Sequence, residues 1–202
     1  MEKLYFALVD TPGLFAYMIR KVIGIDYIHV VLSMDEELEE AYSVGRRNPA
    51  IPIFAGFEKE DAEKIEMKFP TARYRIVSIE CTSEQKQNIA NQLKECFEQR
   101  FHYHYCVLGL PMLLCNIPFY QKNHYTCSSF VANILENNGI ELFDKHFSLV
   151  TPRDFYELEN TEVVYEGSLH KFNEICLRYP KQNVGIFKQA VQKISYVMNG
   201  AM

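Results

Sequence analysis

The sequence predicts an α+β fold, a small antiparallel sheet or barrel packed against helices, from three observations on its 202 residues. Apolar runs of strand length alternate irregularly with runs of helical period, unlike the regular alternation that builds a doubly wound parallel sheet. Residues 28–47 read as a hairpin, two apolar strands about the acidic tip "DEELEE". A hydrophobic content of 48% against 23% charged residues is that of an ordinary folded domain.

The elements follow in chain order. "KLYFALVD" reads as a buried strand stopped by the turn "DTPG". "LFAYMIRKVIG" is apolar around most of its circumference and reads as a helix stopped by Gly24. "YIHVVLSMD" and "AYSVGRR" form the hairpin, and "RNPAIPIFAGFEKED" reads as a Pro/Gly-punctuated loop. In "ARYRIVSIECT", alternating side chains predict a third strand. Thr82 and Gln85 fit a capping box that opens a helix to about Phe101, with Ile89, Leu93, Phe97 and Phe101 as its buried stripe. After the apolar connector "FHYHYCVLGLPMLLCNIPF", Phe130, Val131, Ile134 and Leu135 mark a helix that ends at Gly139. "SLVTPRDFYEL" predicts a short helix capped by Thr151 with Pro152 at its first position. "EVVYEGSL" reads as the last strand. "NVGIFKQAVQKISYVM" reads as a C-terminal amphipathic helix, so the domain expectation is a main body over residues 1–175 and a helical extension over 176–202.

Composition excludes several function classes. A net charge of -5 and a pI near 5.7 leave no basic excess for neutralising phosphates, so a nucleic-acid partner is not expected. The six cysteines, at 81, 96, 106, 115, 127 and 176, contain no C-x-x-C pair and fit neither a zinc module nor a secreted disulfide framework. "LYFALV" is too short for a signal core, and no stretch reaches the roughly 20 apolar residues of a membrane span. A reduced cytoplasmic protein is the expectation.

Cys127 differs from the other five cysteines in its position. Thr126 is a fitting N-cap, which places Cys127 in the first helical turn beside backbone N–H groups that have no intrahelical partner. Those donors favour a thiolate, and they can also hold the oxyanion that forms when sulfur attacks a carbonyl. His29 opens an apolar strand, where a scaffold can hold a general base rigidly. Each residue taken alone reads more simply as core packing.

"YIHVVLSMDEELEEAYSVGRR", "HYTCSSFVANILENNGIELFD", "SLVTPRDFYEL" and "VVYEG" place a strand-borne His first and a helix-start Cys much later. That order resembles the circularly permuted papain-like (NlpC-type) proteins, the YiiX-like and YycO-like bacterial proteins and, more distantly, lecithin:retinol acyltransferase. The resemblance spans about residues 4 to 170 and implies a small antiparallel sheet packed on the helix of the nucleophile. It implies Cys127 as nucleophile and His29 as base, with a third polar residue on the following strand orienting the imidazole. Glu40, Tyr42 and Ser43 are the candidates, with Glu40 favoured on chemistry and Tyr42 close behind. The implied activity is that of a cysteine peptidase, amidase or acyltransferase, working through a thioester on a small-molecule, peptide or lipid-type amide or ester. The alternative is a catalytically inactive ligand- or lipid-binding protein on the same fold.

Other features have plainer readings. His102, His104 and His124 number enough for zinc, but no recognised spacing joins them, so no metal or other cofactor is expected. Tyr103 and Tyr105 are candidate pocket residues. Arg46, a candidate substrate-binding residue, and Arg47 beside it have the planar donors to hold a substrate carboxylate or phosphate, and for either one a solvated turn is the plainer reading. The C-terminal run carries only Lys188 and Lys193 off its apolar stripe, too little charge for a membrane surface, so packing on the core is expected. Oligomeric state is not legible.

Overall fold

The computed structural model describes residues 1–46 and 55–178. Eight strands are present among the described residues: β1 (Glu2–Asp10), β2 (His29–Ser33), β3 (Ala41–Arg46), β4 (Ala55–Lys59), β5 (Arg73–Cys81), β6 (His104–Tyr105), β7 (His124–Tyr125) and β8 (Glu162–Ser168). The helices are α1 (Leu14–Ile23), α2 (Ala62–Lys68), α3 (Ser83–Glu98), α4 (Gly109–Leu114), α5 (Cys127–Asn137), α6 (Pro152–Tyr156) and α7 (Leu169–Arg178).

Six strands form one antiparallel sheet in the order β4-β3-β2-β1-β5-β8. The sheet is open, with β4 and β8 at its edges, so of sheet and barrel it is the sheet that forms. β6 and β7 pair in parallel as a separate two-stranded ladder that leads directly into α5.

Both faces of the sheet are covered, and strand alternation divides the apolar residues between them. Leu4, Phe6 and Leu8 of β1 join Val30, Leu32 and Val44 in a core shared with α3, α5 and α6. Ala7 and Val9 join Val31, Tyr74 and Ile76 in a second core closed by Leu169, Phe172 and Ile175 of α7. The α+β expectation is met.

Three expectations meet a different structure. Residues 55–59 of "RNPAIPIFAGFEKED" are strand and not loop: β4 pairs with β3, and α2 follows it, its Asp61 N-cap accepting from the Lys64 N–H at 3.0 Å. Residues 47–54, including Arg47, lie outside the described residues. Helix α3 stops at Glu98, so Phe101 falls in a 3-10 turn and stands 65% exposed instead of extending the buried stripe. Helix α7 runs through the boundary expected at 175/176, and the amphipathic run at 184–202 lies outside the described residues. No helix among the described residues is long and apolar enough to cross a membrane.

Candidate active site

α5 begins where the sequence places it. Thr126 is extended, and its hydroxyl accepts from the Ser129 N–H at 3.2 Å. Ser129 returns the bond, its hydroxyl accepting from the Thr126 N–H at 2.8 Å. This reciprocal cap fixes the first turn, and Cys127 is its first residue. Phe130, one turn on, packs its ring 4.9 Å from Phe57 of β4 and so ties the helix to that strand. Ser128 is anchored separately, its hydroxyl donating to the Val150 carbonyl at 2.6 Å.

His29 starts β2, in register with Val9 of β1. Its Nε2 lies 3.0 Å from Oε1 of Glu60, the residue that follows β4. The imidazole and the Cys127 thiol are near enough for each to shift the other's titration, and both line one cleft. Glu60 is itself held by the sheet, its N–H donating to the Ala41 carbonyl at 2.9 Å. The chain Cys127–His29–Glu60 therefore joins the start of a helix, the start of one strand and the end of another.

Gly45 of β3 makes room for this chain. A Cβ there would meet His29 Cε1 at 3.2 Å and Glu60 Oε1 at 3.5 Å. The backbone conformation at 45 is one any residue adopts, so glycine is required there by the close approach alone.

The electrostatics point one way. Burial pushes the Cys127 thiol up, but the His29 charge and hydrogen bond, with N–H donors of Val30 and Ser128, bring it below its ordinary value. Burial pushes His29 down, yet the charge and hydrogen bond of Cys127, with Glu60 behind them, hold it well above the ordinary imidazole range. A thiolate–imidazolium pair is the resting state these neighbours favour. Cys81, Cys96, Cys106 and Cys176 behave oppositely, each thiol pushed up mainly by burial.

The pair opens on a cleft of about 560 Å³. Cys127 is 5% exposed, and the His29 side chain 23%, so the reactive atoms sit at the base of the cleft and not on its rim. Tyr105 lines the same space, as do Ile19 of α1 and residues of α2.

Not every expected site residue arrives there. Tyr42 lies in the core, stacked 5.7 Å from Phe57, and its hydroxyl donates to Glu40 at 2.7 Å. Glu40 also takes an ion pair from Lys59 at 2.6 Å, and Ser43 donates to the Val30 carbonyl at 2.8 Å. The carboxylate on the imidazole is thus Glu60, in place of Glu40, Tyr42 or Ser43, because the chain bends back through β4 before reaching His29. Tyr103 turns into the core, its hydroxyl 3.1 Å from Cys96 Sγ, while Tyr105 does reach the cleft. Arg46 closes β3 with its backbone in register with Ala55.

His104 and His124 lie across the β6–β7 ladder with ring centres 5.0 Å apart. Among the described residues, no group of three or more His, Cys, Asp or Glu is arranged to hold a metal ion. Glu60 had a sequence signal after all: Asp61, the next residue, is a good N-cap, which places Glu60 at the junction between two elements. Comparison with family models, with curated proteins and with solved structures found no match to this chain.

Proposed function

We propose that this chain is a cysteine-dependent hydrolase or acyltransferase acting on an amide or ester bond, on a permuted papain-like arrangement of the α+β fold. The observation that carries the reading is the relay Cys127–His29–Glu60 at the base of an open cleft. A buried cysteine of purely structural use has no need of an imidazole, a carboxylate behind it and N–H donors from two elements.

In this reading the Cys127 thiolate attacks the substrate carbonyl carbon, forming a C–S bond as the carbonyl π electrons move to oxygen. N–H groups at the start of α5 stabilise that oxyanion. As the tetrahedral adduct collapses, the C–N or C–O bond to the leaving group breaks and the His29 imidazolium supplies its proton. Neutral His29 then takes a proton from water, or from another acceptor, as it attacks the thioester. Product leaves and the thiolate–imidazolium pair returns. Glu60 fixes the ring orientation and stabilises its charge.

Alkylation with iodoacetamide at pH 6, read by peptide mass spectrometry, tests this. Cys127 is expected to react at least tenfold faster than any other cysteine, and His29→Ala is expected to remove the difference. Equal rates at all six thiols, or a fast Cys127 indifferent to His29, would overturn it.

A further inference from the structure

Helix α2 gives the cleft a character that the relay alone does not. Asp61, Lys64, Ile65, Lys68 and Phe69 all line the cleft, a spacing of i, i+3, i+4, i+7 and i+8 that forms one complete helical face. The opposite side of α2 is tied down, with Asn173 donating to the Ala62 carbonyl at 3.3 Å and to Glu66 at 2.6 Å. Yet α2 buries no residue. Its cleft face is therefore held in place while left open to a ligand.

That face is divided chemically. Ile65 and Phe69 are half-buried and continue an apolar wall made with Val9, Ile19 and Ile28. The charges beside them are largely taken up: Lys64 pairs with Asp61 at 2.9 Å, Lys59 with Glu40, and Glu60 with His29. Lys68 alone among these lysines has no acidic partner among the described residues. A single unpaired ammonium matches one negative charge.

Resting on the acyl-transfer reading above, we propose that the cleft takes an amide or ester carrying an apolar group and a free carboxylate, the apolar group lying on Ile65 and Phe69 and the carboxylate on Lys68. Lys68 is then a specificity residue that acts on binding and takes no part in bond breaking.

Two chloroacetyl probes test the assignment on the full chain, N-chloroacetyl-leucine and its neutral amide, N-chloroacetyl-leucinamide. With each, Cys127 sulfur displaces chloride as a C–S bond forms and the C–Cl bond breaks. The saturation constant and limiting rate are read separately, with iodoacetamide as a probe that carries neither the apolar group nor the carboxylate. The acid is expected to saturate at least fivefold lower than the amide. Lys68→Gln is expected to abolish that preference, with the limiting rate and the iodoacetamide rate unchanged, and Lys68→Arg to keep it. N-chloroacetyl-glycine is expected to lose affinity relative to the leucine probe, less so in Ile65→Ala. Equal saturation by acid and amide, or a preference that survives Lys68→Gln, would overturn the carboxylate assignment while leaving the reactive thiol standing. A Cys127 that iodoacetamide does not label selectively removes the acyl-transfer reading and this one together.

Discussion

Glu60 Oε1 lies 3.0 Å from His29 Nε2, and the imidazole it orients is the one whose charge draws the Cys127 thiol below its ordinary value. The carboxylate is thus placed to favour the imidazolium and, through it, the thiolate. Loss of its charge should be felt two bonds of the relay away, at sulfur.

The pH dependence follows with a definite sign. Cys127 lies below its ordinary value, so thiolate reactivity persists below the ordinary thiol range and falls as pH drops through the thiol's own titration. His29 lies above its ordinary value, so turnover, which needs the imidazolium proton, falls as pH rises through the imidazole's titration. Alkylation rates are expected to show only the acid limb, and turnover both. In Glu60→Gln the imidazolium loses support, the thiol rises, and the acid limb of alkylation should move up by about one pH unit. Stopped-flow alkylation between pH 4 and 9 (roughly the span between ordinary carboxylate and thiol values) measures this.

Gly45→Ala should damage the relay without unfolding the chain. The new methyl would stand 3.2 Å from His29 Cε1, so the ring must yield by a few tenths of an ångström and its bond to Glu60 lengthens. Alkylation at pH 6 is expected to slow by roughly tenfold, equivalent to about 1.4 kcal/mol in the barrier. Far-ultraviolet circular dichroism should be unchanged.

Thr126→Ala removes one half of the reciprocal cap at α5. The expected loss is about 1 kcal/mol of stability, measured as a lower urea midpoint at constant slope. Alkylation should slow as well, because the turn that holds Cys127 loosens.

Tyr42→Phe provides the contrast. It removes the 2.7 Å bond to Glu40 but leaves His29 and Glu60 untouched. Its alkylation rate is expected to stay within twofold of the parent. A tenfold fall would return Tyr42 to the position that the hairpin pattern suggests for it.

What the sequence made legible was what neighbours in the chain decide. The capping pattern at Thr126, the stop at Gly24, the apolar run of β1 and the alternation of β5 each depend on residues a few positions apart, and each element forms where it was expected. The third residue of the relay depends on register instead. Glu60 reaches His29 only because β4 folds back on β3, with Tyr42 opposite Lys59 and Gly45 opposite Gly56. Pro and Gly in "RNPAIPIFAGFEKED" signal a turn, and they mask the short strand that supplies the carboxylate. Phe101 shows the converse failure. Its four-residue spacing continues the stripe of α3, but the helix has already tightened into a 3-10 turn.

His29, Glu60 and Cys127 are contributed by three stretches that share no local contact in an extended chain. Until the edge hairpin has closed and α5 has docked on it, the sulfur at 127 is an ordinary thiol with no proton partner. A ribosome-bound or heat-opened chain therefore carries no activated sulfur. Covalent capture at this one atom counts native molecules and passes over the rest.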